Sequence, residues 1–230
     1  PDTALLCDIG TNGEIALWKD GVLYVTSTAA GPAFEGAGIS CGCGSVTGAI
    51  DRVWVEQGRL GVHTIANAPA VGLCGSGLID AVAALLELGE VDETGAMEEE
   101  SALLAGEVRL LPRDVRAVQL AKAAIAAGIE TILEYAHTPL DQVRRLYIAG
   151  GFGRHLNLAS AAAIGLLPRA LISRARVIGN ASLSGAARIL LDRSNVEKCR
   201  RIAEASVHVN LGGNPVFNEH YMEQMLFEVE

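Results

Sequence analysis

Aromatic residues are scarce, at 4% of the chain. That leaves few stacking platforms for single-stranded nucleic acid. Basic clusters are scarcer still: no run of Lys and Arg exceeds two residues, and the net charge is −9. Phosphate-backbone binding needs the opposite balance, so no nucleic-acid partner is expected. No apolar run approaches the ~18 residues that cross a bilayer, and no basic-then-apolar leader opens the chain, so no membrane partner is expected. CxxC pairs are absent, and Cys7, Cys41, Cys43, Cys74 and Cys199 form an odd set unlike a secreted disulfide scaffold. Cys41 and Cys43 are a faint metal-binding hint. Buried or idle thiols in a reducing, cytoplasmic compartment are the plainer reading. No repeat of 20–50 residues appears. The first residue is Pro1 rather than methionine, so a fragment of a longer protein is expected.

What the chain does have is apolar bulk. Of its 230 residues 50% are hydrophobic and 20% charged; a chain of that length buries roughly 70–75% of its unfolded surface, enough for a core without staples. The pattern begins with three extended runs, Leu5–Cys7, Glu14–Trp18 and Val22–Thr26. They are separated by Asn12-Gly13 and Asp20-Gly21, pairs that favour tight antiparallel turns. Small residues fill 26–48, too many for a continuous helix. Further strands are predicted near Ile50–Val55 and Leu60–Ile65. Helix follows over Gly75–Leu88, with Gly89 as its stop. Residues 89–111 read as irregular, with Glu98–Glu100 on a solvated face. Pro112 opens a long helix in which Gly128 leaves room for a close neighbour. Strands at Arg145–Ala149 and Arg176–Ile178 then alternate with helices at Ala159–Ile164, Ala181–Leu191 and Val196–Ala205. The class is α/β, a mixed sheet with flanking helices.

Three segments carry chemistry. In Asp8-Ile9-Gly10-Thr11-Asn12-Gly13-Glu14 a carboxylate ends a buried strand, and two glycines let backbone N–H groups face an anion. Asp8 suits magnesium held through a water. An ordinary hairpin turn is the competing reading. In Ile148-Ala149-Gly150-Gly151-Phe152-Gly153 glycines follow a strand end, where open α/β sheets take ligands; Gly179-Asn180-Ala181-Ser182-Leu183-Ser184 repeats that arrangement. Together they suit a flat group such as adenine, and each alone is equally a tight connection. In Leu73-Cys74-Gly75-Ser76-Gly77-Leu78-Ile79-Asp80 a helix start faces an anion with free N–H groups, or Ser76 caps the helix. The five histidines lack metal-ligand spacing and read as surface or structural.

These motifs, with Ser27–Gly36, Gly38–Gly42, Cys74–Asp80 and Gln119–Ile125, resemble the reductive activators of corrinoid proteins. That family belongs to the acetate and sugar kinase, Hsp70 and actin superfamily. The resemblance runs in order along the chain and implies an actin-like, ribonuclease H-like ATPase lobe. It implies an ATP-dependent activator that returns a corrinoid protein's Co(II) to Co(I). It assigns 1–230 to the second, C-terminal lobe, with the first lobe and a ferredoxin-like N-terminal domain holding a [2Fe-2S] cluster outside this chain.

By motif match Asp8 is the catalytic carboxylate and magnesium partner, and Gly10, Thr11, Asn12 and Gly13 bind phosphate. Gly150, Gly151, Phe152, Gly153, Asn180 and Ser184 frame the adenosine, while Gly75, Ser76, Gly77 and Asp80 begin a connecting helix. Ser27, Thr28 and Phe34, in a run read as too small and flexible for core, are expected to contact the partner; a structural crossover packed tightly between strands and a subunit contact in a homodimer are the competing readings. That partner is a corrinoid protein of a methyltransferase system, and a homodimer is expected. Cys43 stands where relatives are expected to carry methionine. A small-substrate kinase of the same superfamily and a non-catalytic nucleotide sensor are the rival functions.

Overall fold

The computed structural model describes residues 2–151 and 156–228. A six-stranded mixed sheet organises it. Three strands, β1 (Ala4–Ile9), β2 (Gly13–Lys19) and β3 (Val22–Thr28), form an antiparallel meander. β9 (Arg145–Ala149) pairs parallel with β1, and β10 (Ala175–Gly179) pairs parallel with β9. β11 (Val207–His208) closes the opposite edge, giving the order β10-β9-β1-β2-β3-β11.

The two early turns differ in kind. Asp20 (φ 50°) and Gly21 (φ 85°) are both left-handed, as a two-residue hairpin loop requires. At the first turn Asn12 and Gly13 keep ordinary φ, and the Gly10 N–H donates to the Asn12 carbonyl at 3.0 Å instead. Gly13 is glycine for want of space: a Cβ there would lie 2.8 Å from Thr28 Oγ1 and 2.9 Å from Ile125 Cγ1.

A second sheet, β5 (Arg59–Thr64), β4 (Ala49–Glu56) and β6 (Gly72–Leu73), leads into helix α1 (Gly75–Leu88). Its hairpin turns on left-handed Gln57 and Gly58. Gly77 lets α1 lie against β4, since a Cβ there would meet the Ile50 carbonyl oxygen at 2.2 Å. Gly89 ends the helix at φ 71°.

Helix α2 (Pro112–Tyr135) packs on β2 and β3. Asp114 is buried and fixes its start, its Oδ2 accepting from Leu111 N–H at 2.9 Å and its Oδ1 from Ser40 N–H at 2.8 Å and Ser40 Oγ at 2.9 Å. Gly128 sits where a side chain would strike Thr28 and Ile15, the close neighbour its place in the helix predicts. The run Glu98–Glu100 is exposed.

Several elements are absent from the sequence-based expectation. The hairpin of β7 (Ala102–Ala105) and β8 (Val108–Leu110) lies inside the stretch read as irregular. The two-residue β11 is too short to show a period. Helix α6 (Pro215–Glu223) packs on α2 and is capped by Asn214, whose Oδ1 accepts from Val216 N–H at 3.0 Å. Between β10 and β11 run α4 (Ala181–Leu191) and α5 (Ser194–Ala205), which have no buried residues; α3 (Leu158–Ala163) packs on α1.

Candidate functional site

The C-terminal ends of parallel β1, β9 and β10 meet at one edge of the sheet, the side on which open α/β sheets take ligands. Asp8, half-buried, stands there beside Glu14 of β2 and Ala149 of β9. Its Oδ2 accepts from Ser182 Oγ at 3.3 Å, which ties the β1 end to the start of α4. Gly150 follows β9 at φ 103°, and its N–H donates to the Gly179 carbonyl at 3.0 Å. A Cβ on Gly150 would lie 2.4 Å from the Ile9 carbonyl oxygen and 3.0 Å from Asp8 Oδ1. Among the described residues, nothing lies within 4 Å of a Cβ added at Gly151. Asn180 caps α4 by accepting from Leu183 N–H at 2.8 Å, and Ser184 Oγ donates to its carbonyl at 3.0 Å.

The structure thus brings Asp8, Gly10, Gly150, Gly151 and the Asn180–Ser184 turn around a single ledge. Phe152 and Gly153 fall outside the described residues. Thr11 and Asn12 are exposed at the turn. The Thr11 hydroxyl faces Glu35, lying 3.0 Å from both carboxylate oxygens. Glu35 is the residue that sequence reasoning did not attach to this turn. It lies 24 positions away, and no local spacing marks the pair.

The connecting-helix residues do a different job from the loops. Ser76 does not cap α1: the N-cap residue is Cys74, with no side-chain cap, and Ser76 Oγ donates to the Asp51 carbonyl at 3.0 Å. Asp80 is buried and accepts from Val53 N–H at 3.3 Å. Burial pushes its carboxyl up, against the opposing pull of Ser160, Val53, Asn157 and Arg52. Ser76, Gly77 and Asp80 therefore seat α1 on β4. Gly75 borders a cavity of about 210 Å³ that also touches Glu35 and Gly151.

The expected partner-contact run divides. Ser27 is exposed and its hydroxyl lies 3.4 Å from Glu14 Oε1. Thr28 is buried, with its hydroxyl 3.4 Å from the Gly13 carbonyl oxygen. Phe34 is 2% exposed and belongs to the core. The 3-10 turn Pro32–Glu35 packs against both α1 and α2 and carries Ala33 and Phe34 inward. Thr28 and Phe34 are therefore corrected to packing residues, and the run is not too small for core.

Among the described residues, no group of three or more His, Cys, Asp and Glu is placed to hold a metal ion, and no helix is long and apolar enough to cross a membrane. Two larger cavities, about 790 Å³ beside Asp80 and about 660 Å³ beside Tyr24, lie away from Asp8.

The chain is 36% identical, over a 251-residue alignment, to the corrinoid activation enzyme RamQ of Eubacterium limosum, covering 97% of this chain and 42% of that protein. It is 26% identical to the [Co(II) methylated amine-specific corrinoid protein] reductase of Methanosarcina barkeri, covering 99% of this chain and 46% of that protein. A solved reductive activator for corrinoid, iron-sulfur protein superposes with a TM-score of 0.90 at 34% identity, over 98% of this chain and 40% of that one. The chain spans less than half the length of each of these relatives. Residues 2–230 match the family model of the C-terminal ASKHA (actin-like) domain of RACo, the fold of nucleotide-binding lobes. With the meander, the parallel β1-β9-β10 edge and its glycine loops in place, the chain belongs to the RACo C-terminal ASKHA domain family.

Proposed function

We propose that this domain is the nucleotide-binding lobe of an ATP-dependent activator that reduces a corrinoid protein from Co(II) to Co(I). The observation that carries the reading is the convergence of the Asp8–Gly13 turn, Gly150–Gly151 and Asn180–Ser184 on one open ledge. The cradle fits ATP with magnesium. Gly150 admits no side chain, no described residue crowds Gly151, and Asp8 offers the hard oxygen that magnesium takes through a bound water. Thr11, Asn12 and the backbone N–H groups of the turn meet the phosphates, and Gly150, Gly151, Asn180 and Ser184 border the adenosine. Bound ATP supplies the free energy that an uphill reduction of Co(II) requires.

Asp8 and Ser182 join the phosphate turn to the adenosine side, so nucleotide contacts at one are felt at the other. Closure around nucleotide then changes partner affinity or cobalt ligation. The partner is a corrinoid protein of a methyltransferase system, and the protein acts in the cytoplasm as a homodimer. Exposed Ser27 remains on the partner-facing side, while Thr28 and Phe34 support it from beneath.

Asp8→Asn in the full-length protein tests the reading. The variant should fold normally by circular dichroism and lose ATP-stimulated appearance of the Co(I) absorption band in the corrinoid protein. Unchanged stimulation would remove Asp8 from the mechanism. ATP hydrolysis that ignores added corrinoid protein, and instead follows a small acceptor, would favour a kinase.

A further inference from the structure

Beside the nucleotide ledge, the segment 41–43 runs parallel to β6. Leu73 N–H donates to the Cys41 carbonyl at 2.7 Å and Cys43 N–H donates to the Leu73 carbonyl at 3.0 Å, which pairs Gly42 with Leu73. The next pair in that register is Cys43 with Cys74. Paired parallel strands lie about 4.8 Å apart and partners share a face; that spacing falls within the ~4.4–6.8 Å Cα separation that a disulfide bridges. Both cysteines line the same cavity of about 210 Å³, together with Glu35, Ser76 and Gly151. Gly72 clears the way, since a Cβ there would lie 2.7 Å from Cys43 Sγ. The Cys43 thiol therefore rests over bare backbone on the face it shares with Cys74.

All five cysteines are free thiols, and Cys74 Sγ lies 3.4 Å from Ser76 Oγ. Burial, then the Cys74 and Cys41 thiols, push the Cys43 thiol up, the electrostatic imprint of sulfurs in close range.

We propose that Cys43 and Cys74 are an oxidation site that peroxide closes to an intramolecular disulfide, bolting segment 41–43 to the start of α1 beside the nucleotide loops. The thiolate sulfur of one cysteine attacks hydrogen peroxide. An S–O bond forms, the O–O bond breaks, and the departing hydroxide takes up the thiol proton as water. The sulfur of the second cysteine then displaces the sulfenic hydroxyl, which leaves with the second thiol proton as another water. Two thiols give up two electrons, and one peroxide becomes two waters.

The test is disulfide mapping on the intact chain. After stepwise peroxide treatment, alkylation of free thiols and digestion, mass spectrometry should find one peptide linking Cys43 to Cys74. Two thiols per chain should be lost and recovered with dithiothreitol. The oxidised form should melt at a higher temperature than the reduced form, and Cys43→Ser, folded by circular dichroism, should lose both the link and the gain. A Cys41–Cys43 link, or sulfinic acid at either cysteine without a link, overturns the proposal. The mapping reads sulfur chemistry alone, so it decides the matter whether or not the ledge binds nucleotide.

Discussion

At Gly13 one hydrogen atom in place of a methyl group decides whether the Gly10–Gly13 turn can form. Its α-carbon sits between Thr28 of β3 and Ile125 of α2, both within 3 Å of where a Cβ would be. Thr28 belongs to the same buried layer and Ile125 is fully buried, so neither has free space to move into. Overpacking of that kind costs about 1–3 kcal/mol. Gly13→Ala should lower stability in urea by about that amount, and with it the order of the neighbouring Gly10–Asn12 backbone. A variant within about 0.5 kcal/mol of the parent, the scatter of a neutral surface substitution, would mean that α2 yields. The Asp-Ile-Gly-Thr-Asn-Gly spacing made this turn legible in the sequence. The reason for its second glycine was not legible, because both obstacles come from distant segments. Phe34 misled for a related cause. Its flanking Ala, Gly and Pro residues signal a loop, yet a 3-10 turn is enough to drive one aromatic ring between two helices.

At the scale of elements, α1 and α2 were the most legible parts because their apolar spacing persists over several turns and Gly89 and Pro112 punctuate them. The β7–β8 hairpin alternates buried Ala102, Leu104, Val108 and Leu110 with outward residues, but each strand is too short for a period to stand out. Helix α2 also does something its periodicity does not announce. It clasps the end of the chain: Gln119 donates to the Met225 carbonyl at 3.0 Å, and buried Lys122 donates to the Leu226 carbonyl with its ammonium 5.6 Å from the Phe227 ring centre. Burial lowers Lys122 from 10.5 to about 8, with Glu228 and Glu130 opposing. Between those two values the folded lysine has shed its proton while the unfolded one keeps it. The unfolded state then binds more protons, so stability attributable to Lys122 rises with pH across that window and is level below it. The rise is at most roughly 3 kcal/mol. Lys122→Met should remove it. The difference between parent and variant in denaturant midpoint, measured at about pH 7 and about pH 10, isolates this lysine from other titrating groups. A difference that stays constant with pH would place the titration elsewhere.

For the whole molecule, the sheet order places everything that resembles nucleotide chemistry at one end of β1, β9 and β10, leaving the ledge open. On the proposed reading, an open ledge with a single phosphate turn grips only part of a triphosphate. On that reading of this chain as one lobe, the remaining phosphate contacts come from outside it, and the chain spans 42% of the corrinoid activation enzyme it matches. Each 1.4 kcal/mol of lost contact weakens binding about tenfold, and losing two or three charge-assisted hydrogen bonds, at about 1.5–3 kcal/mol each, removes several such factors. The chain by itself should therefore bind magnesium–ATP only in the range of roughly a millimolar dissociation constant or weaker. What binding remains should disappear in Asp8→Asn. Titration calorimetry on both proteins measures this directly. Submicromolar affinity in the parent chain would show that this lobe grips nucleotide without the contacts of a second one, and the shared-cleft account of the site would then fail.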